Sequence, residues 1–140
     1  MGTPKHLKKS SQNVLDSLTN GLDNPGDHKT FDTHNYTEKW NGGIMAVHVE
    51  NIGHLIYFPL FSVTHYFKQN GDMCQDPEML FFRKEGKYYP CMFQSYPGFY
   101  QESVYRDEKD GAMRFAPKMQ RDDVSFANDW MENIKHQQNL

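Results

Sequence analysis

Apolar residues recur at helical spacing near both ends of this chain and at strand spacing in between. Near the start, Val14, Leu15, Leu18 and Leu22 share one face of a 3.6-residue period. That spacing predicts a helix from Ser10 or Ser11 to about Leu22, with Gly21 suited to the left-handed position that closes it. Near the finish, Phe126, Ala127, Trp130, Met131 and Ile134 make a second stripe. It predicts a helix from about Asp122 to His136, capped by Asp122 or Asp123, whose charge suits the positive end of the helix dipole.

Between the stripes the period falls to two. Met45, Val47 and Val49 alternate with Ala46, His48 and Glu50, which predicts a strand over Ile44 to Glu50 and a turn at Asn51-Ile52-Gly53. A longer strand is expected from about Leu55 to Lys68. Pro59 cannot donate to a ladder, so it predicts an edge position or a bulge that splits the strand. Phe61, Val63, His65 and Phe67 then face one side, and Ser62, Thr64, Tyr66 and Lys68 the other. Asn70-Gly71 is a strong hairpin signal, because both residues tolerate positive φ. Asp76-Pro77 is expected to redirect the chain. Strands over Glu78–Arg83, Lys87–Gln94, Phe99–Arg106 and Ala112–Phe115 follow, joined by turns at Glu85-Gly86, Pro97-Gly98 and Lys109-Asp110-Gly111. Turns this short imply an antiparallel meander. The expected class is α+β, an antiparallel meander sheet of about five or six strands flanked by an N-terminal and a C-terminal helix. Residues 23–43, rich in Asn, Asp, Gly, Thr and His around Pro25-Gly26, read as a loop.

Composition narrows this picture. A chain of 140 residues is expected to form one domain over 1–140, with residues 1–9 (Lys5, Lys8 and Lys9 among them) as a flexible basic arm. Hydrophobic residues make up only 37%, but aromatics reach 14%, and each ring can bury on the order of 150–250 Å². The net charge of −3 leaves no basic stripe to track phosphates, so nucleic acid is not an expected partner. No leader pattern and no apolar run near the ~20 residues of a membrane helix is read. A cytoplasmic protein off the membrane is expected, with Cys74 and Cys91 as free thiols. His28, His34 and His48 match no compact metal-ligand spacing, and no cofactor is expected.

The densest chemistry lies between His65 and Glu78, where one His meets Asp72, Asp76 and Glu78. With Glu102 these residues could converge on Mg²⁺, which prefers oxygen ligands, while His65 serves as a base. That small metal-dependent enzyme is the alternative reading. The blander one is structural: Asn70, Gly71 and Pro77 shape turns, Asp76 closes one on its own backbone, and His65 sits in a core. No phosphate loop, nucleophile elbow or zinc-helix motif is present. No catalytic residue and no metal ligand is assigned in the leading reading.

His65-Tyr66, Asn70-Gly71-Asp72 and Asp76-Pro77-Glu78-Met79 together resemble the signature of a family of small proteins carried by plasmids, phages and integrative elements, for which no chemistry is established. The likeness extends to Gln101-Glu102, Ser125-Phe126-Ala127, Trp130 and Asn133, and so covers the C-terminal half well and the N-terminal half hardly at all. The turn Ser95-Tyr96-Pro97-Gly98 looks shorter than that family's usual loop. The resemblance implies an accessory protein of a mobile element that binds a bacterial protein or protein complex. Its concrete form is a counter-defence inhibitor, anti-CRISPR-like, acting on a defence effector. Most aromatics lie between Tyr57 and Tyr105, more than one sheet face can hide, and exposed rings suit a protein interface. The turn carrying Tyr96, Phe99 and Tyr100 is the expected binding tip, since loop backbone stays at the surface.

Overall fold

The computed structural model describes residues 2–32, 46–69 and 72–140, with the side chains of 67–69 and 72–75 left aside. Two helices, α1 (Lys9–Thr19) and α2 (Pro117–Gln137), flank a six-stranded sheet in sequence. The strands are β1 (His28–Phe31), β2 (Val47–Leu55), β3 (Phe58–Gln69), β4 (Asp72–Lys84), β5 (Lys87–Ser95) and β6 (Phe99–Glu102). They lie in sequence order, every neighbour antiparallel. A separate hairpin, β7 (Val104–Arg106) and β8 (Met113–Phe115), follows β6. The α+β meander predicted from the pattern is the one observed.

Both helices cover one sheet face. Val14, Leu15 and Leu18 of α1 and Ala127, Trp130, Met131 and Ile134 of α2 pack on Val47, Val49, Phe61, Val63, Met79, Phe81 and Tyr88. On the opposite face an apolar cluster lies at one end, where Phe82, Cys91 and Val104 gather Leu60, Leu80, Tyr89, Met113 and Phe115. The β7–β8 hairpin covers that end.

Several local expectations are corrected. The supposed basic arm is tied down from Lys5 onward. Leu7 is fully buried and its N–H donates to the Tyr88 carbonyl. The Gln120 amide accepts from the Lys5 N–H and donates to the carbonyls of Lys5 and Pro90. Helix α1 begins after Lys8, without a serine cap, and stops at Thr19, with Gly21 at φ 82° just beyond. Leu22 is buried although it lies past the helix.

The loop expected over 23–43 contains β1, whose polar residues carry no alternation to predict it; residues 33–43 lie outside the described part, as do Ile44 and Met45. Asn51-Ile52-Gly53 is a bulge within β2, not a turn. Asn51 is buried, and its side chain donates to the Leu22 carbonyl and accepts from the Gly53 N–H. The turn comes later, at Ile56-Tyr57. Pro59 neither splits β3 nor marks an edge. It stands second in an interior strand, where a missing ladder bond costs least.

Asp76-Pro77 also lies inside a strand. The register steps from Thr64↔Glu78 to Tyr66↔Gln75, so β4 carries one extra residue opposite His65. The expected tip at Asn70-Gly71 lies outside the described residues; β3 and β4 pair up to Gln69↔Asp72.

The strand expected over Phe99–Arg106 breaks at Ser103. That residue is fully buried, and its hydroxyl donates to Asp123 at 2.7 Å. Asp123 therefore does not cap α2. The helix starts earlier, with Pro117 in its first turn, a position where the lack of an N–H is harmless.

Candidate functional site

The tip predicted for binding stands at one border of the sheet. Strand β6 pairs with β5 through Ser95↔Phe99, Gln94↔Tyr100, Phe93↔Gln101 and Met92↔Glu102, and no described strand pairs with its other side. Ser103 N–H donates to the Cys91 carbonyl, which fixes the alternation of the ladder. Gln101 then turns its backbone groups toward β5, and Tyr100 and Glu102 turn theirs away from the sheet.

Rings crowd this border. Tyr96, Phe99 and Tyr100 are 49%, 50% and 54% exposed, so the tip does not fold them into the core. Phe99 meets Phe93 edge-on at 6.0 Å, and Phe93 meets Phe126 of α2 at 5.0 Å. Phe126, counted among the core stripe by its spacing, is 41% exposed. Beside it, a groove of about 410 Å³ runs between Gln101 of β6 and Ala116, Pro117, Met119 and Asp122. Met119, Asp122 and Phe126 follow at helical spacing and turn one side of α2 toward the β6 border. Neither the groove nor the open edge is readable from local pattern; the early start of α2 is, because Pro117 is a first-turn signal.

The residues of the enzyme alternative are divided by the sheet. His65 is buried on the helix-covered face, where the Trp130 indole N–H donates to its Nδ1 at 3.1 Å. Burial lowers its pKa to about 4, so the ring is neutral at ordinary pH. Glu78 and Glu102 lie on the other face. Two cross-strand rows run there, His28–Glu50–Ser62–Leu80–Met92–Glu102 and Thr30–His48–Thr64–Glu78–Gln94–Tyr100. In these rows Ser62 Oγ donates to Glu78 at 2.6 Å, and Tyr100 OH donates to Glu102 at 2.7 Å. Asp76 sits at the β4 bulge and accepts from the Tyr96 N–H at 3.3 Å. The Asp72 side chain lies outside the described residues.

Among the described residues, no group of three His, Cys, Asp or Glu side chains is arranged to hold a metal ion. His65, Tyr100 and Cys91 are shifted away from neutrality. The Glu102 carboxylate holds the Tyr100 proton and, with burial, pushes that phenol up to about 12. Burial, with Asp123 and Glu102 nearby, raises the Cys91 thiol, which leaves it protonated and unreactive. A general acid or base works best near the operating pH, and none of these three does so.

The family model described as "Domain of unknown function (DUF6908)" matches residues 22–140. The chain belongs to this family. The family match takes in β1 to β8 and α2, so it reaches further toward the N-terminus than the motif did, and it leaves out α1. No curated protein and no solved structure matches the chain. No helix among the described residues is long and apolar enough to cross a membrane.

Proposed function

We propose that this DUF6908 protein is a non-catalytic binding protein that takes up an extended segment of a partner protein along β6. The partner strand would pair with the outward backbone groups of Tyr100 and Glu102, and Tyr96, Phe99 and Tyr100 would anchor its side chains. The observation that carries this reading is the coincidence of a sheet edge that no described strand covers with half-exposed rings on both of its sides, Phe99 toward α2 and Tyr100 on the opposite face. Exposed edges invite pairing, and proteins that do not use them commonly blunt them with lysine or proline. Between Phe99 and Glu102 there is neither.

The setting we propose is a phage or other mobile genetic element, and the partner a bacterial protein or complex met in the cytoplasm. The concrete form is a counter-defence inhibitor, anti-CRISPR-like, that occupies a defence effector. The residues that suggest the setting are His65-Tyr66, Asn70-Gly71-Asp72 and Asp76-Pro77-Glu78-Met79, with their likeness to proteins of such elements. The net charge of −3 speaks for a protein rather than a nucleic-acid partner. The test is capture from bacterial lysate by the wild-type chain and by Tyr96→Ala/Phe99→Ala, with mass spectrometry of what is retained. Loss of a specific partner by a double variant with unchanged melting supports the reading. Retention of the same partner removes β6 and its rings from it.

A further inference from the structure

The start of α1 lies far in sequence from the β6 border. The first helical hydrogen bond runs from the Gln12 N–H to the Lys8 carbonyl. The N–H groups of Lys9, Ser10 and Ser11 therefore have no acceptor within the helix. No side chain caps this end, and no acidic residue stands in the first turn. Helix N-termini in this state attract anions, because free N–H groups and the helix dipole act together.

A separate observation points to a ligand. Ser11 is 2% exposed, and its Oγ has no hydrogen-bond partner. Such a hydroxyl ordinarily finds one, so its orphan state calls for an occupant. Ser11 lines a cavity of about 130 Å³ between α1 and the last turns of α2, together with Lys8, Ser10, Val14, Glu132, Lys135 and His136. Lys8 and Lys135 bring two positive charges. Glu132 opposes them with one negative charge. Lys135 and His136 stand in the last turn of α2, where they also offset the negative pole of that helix.

We infer that this cavity binds a phosphate-type oxyanion, either inorganic phosphate or the end group of a small phosphomonoester. The N–H groups of Lys9, Ser10 and Ser11 and the Ser11 hydroxyl would donate to its oxygens, and Lys8 and Lys135 would balance its charge. A volume of about 130 Å³ suits one such group and excludes a longer polyanion from the cavity itself.

The test is amide chemical-shift titration of the full chain at constant ionic strength, with inorganic phosphate in one arm and glycerol phosphate in the other. Saturable shifts centred on Lys9, Ser10 and Ser11 are expected, and the tighter arm identifies the source. Ser11→Ala and Lys135→Ala should each weaken binding by about fivefold or more, and Glu132→Gln should strengthen it. Ser11→Ala favours helix, so it is expected to fold. Non-saturating shifts, or affinities unchanged in all three variants, would overturn the inference.

Discussion

The indole N–H of Trp130 on α2 donates to Nδ1 of His65 on β3, at 3.1 Å with both residues buried. The bond fixes the tautomer: His65 carries its proton on Nε2, and that atom has no partner. Adding a second proton would aim two N–H groups at each other inside the core. Burial is the cause of the lowered pKa, at about 4 against 6.5 unfolded.

A stability–pH profile follows from that pair. The folded pKa is depressed, so the contribution is fully present above about pH 6.5. It is lost as the pH falls toward 4, because the unfolded chain takes up the proton first. The loss is on the order of 3 kcal/mol. Urea unfolding of wild type and His65→Phe across pH 7 to 4 should show a wild-type decline in excess of the variant's. Parallel profiles would refute the buried neutral histidine.

Gln120 links three segments through one amide, and it is 1% exposed. Gln120→Leu should cost roughly 1–3 kcal/mol, because it strands the buried Pro90 carbonyl and the partly buried backbone groups of Lys5. Amide exchange should also quicken at Lys5 and neighbouring residues. A variant with wild-type melting and exchange would mean that the N-terminal segment is held without Gln120, by Leu7 and by the Lys8 N–H bond to Asn128.

The β4–β5 turn holds Glu85 at φ 55° and Gly86 at φ 76°. A left-handed glutamate is strained, and asparagine tolerates the conformation better. Glu85→Asn should raise stability by about 0.5–1 kcal/mol, and Gly86→Val should lower it by about 1 kcal/mol or more. Thermal melting of the two variants, moving in opposite directions, checks the geometry.

Much of the scaffold was legible because its signals are periodic. The stripes at Val14–Leu18 and Phe126–Ile134 located both helices, and the alternation through Phe61, Val63 and His65 assigned the buried face correctly. Misplaced elements were those where one side chain overrides local pattern. Asn51 keeps β2 running by spending its amide on Leu22 and Gly53. Ser103 breaks the last strand by turning inward to Asp123. β1 was missed because His28, Lys29 and Thr30 show no apolar alternation and depend on β2 for their pairing. The rings of the candidate site were readable as a turn that cannot hide them. The groove beside them was not, because Met119 and Phe126 reach the β6 border only through the tertiary docking of α2.

The central claim, that β6 is a template for a partner strand, is tested most directly by hydrogen exchange at single amides with the captured partner bound. The account predicts that the Tyr100 and Glu102 amides, which face away from β5, become strongly protected. The Gln101 amide, already bonded within the sheet, should change little. Protection confined to other elements, with Tyr100 and Glu102 exchanging as in the free protein, would contradict it.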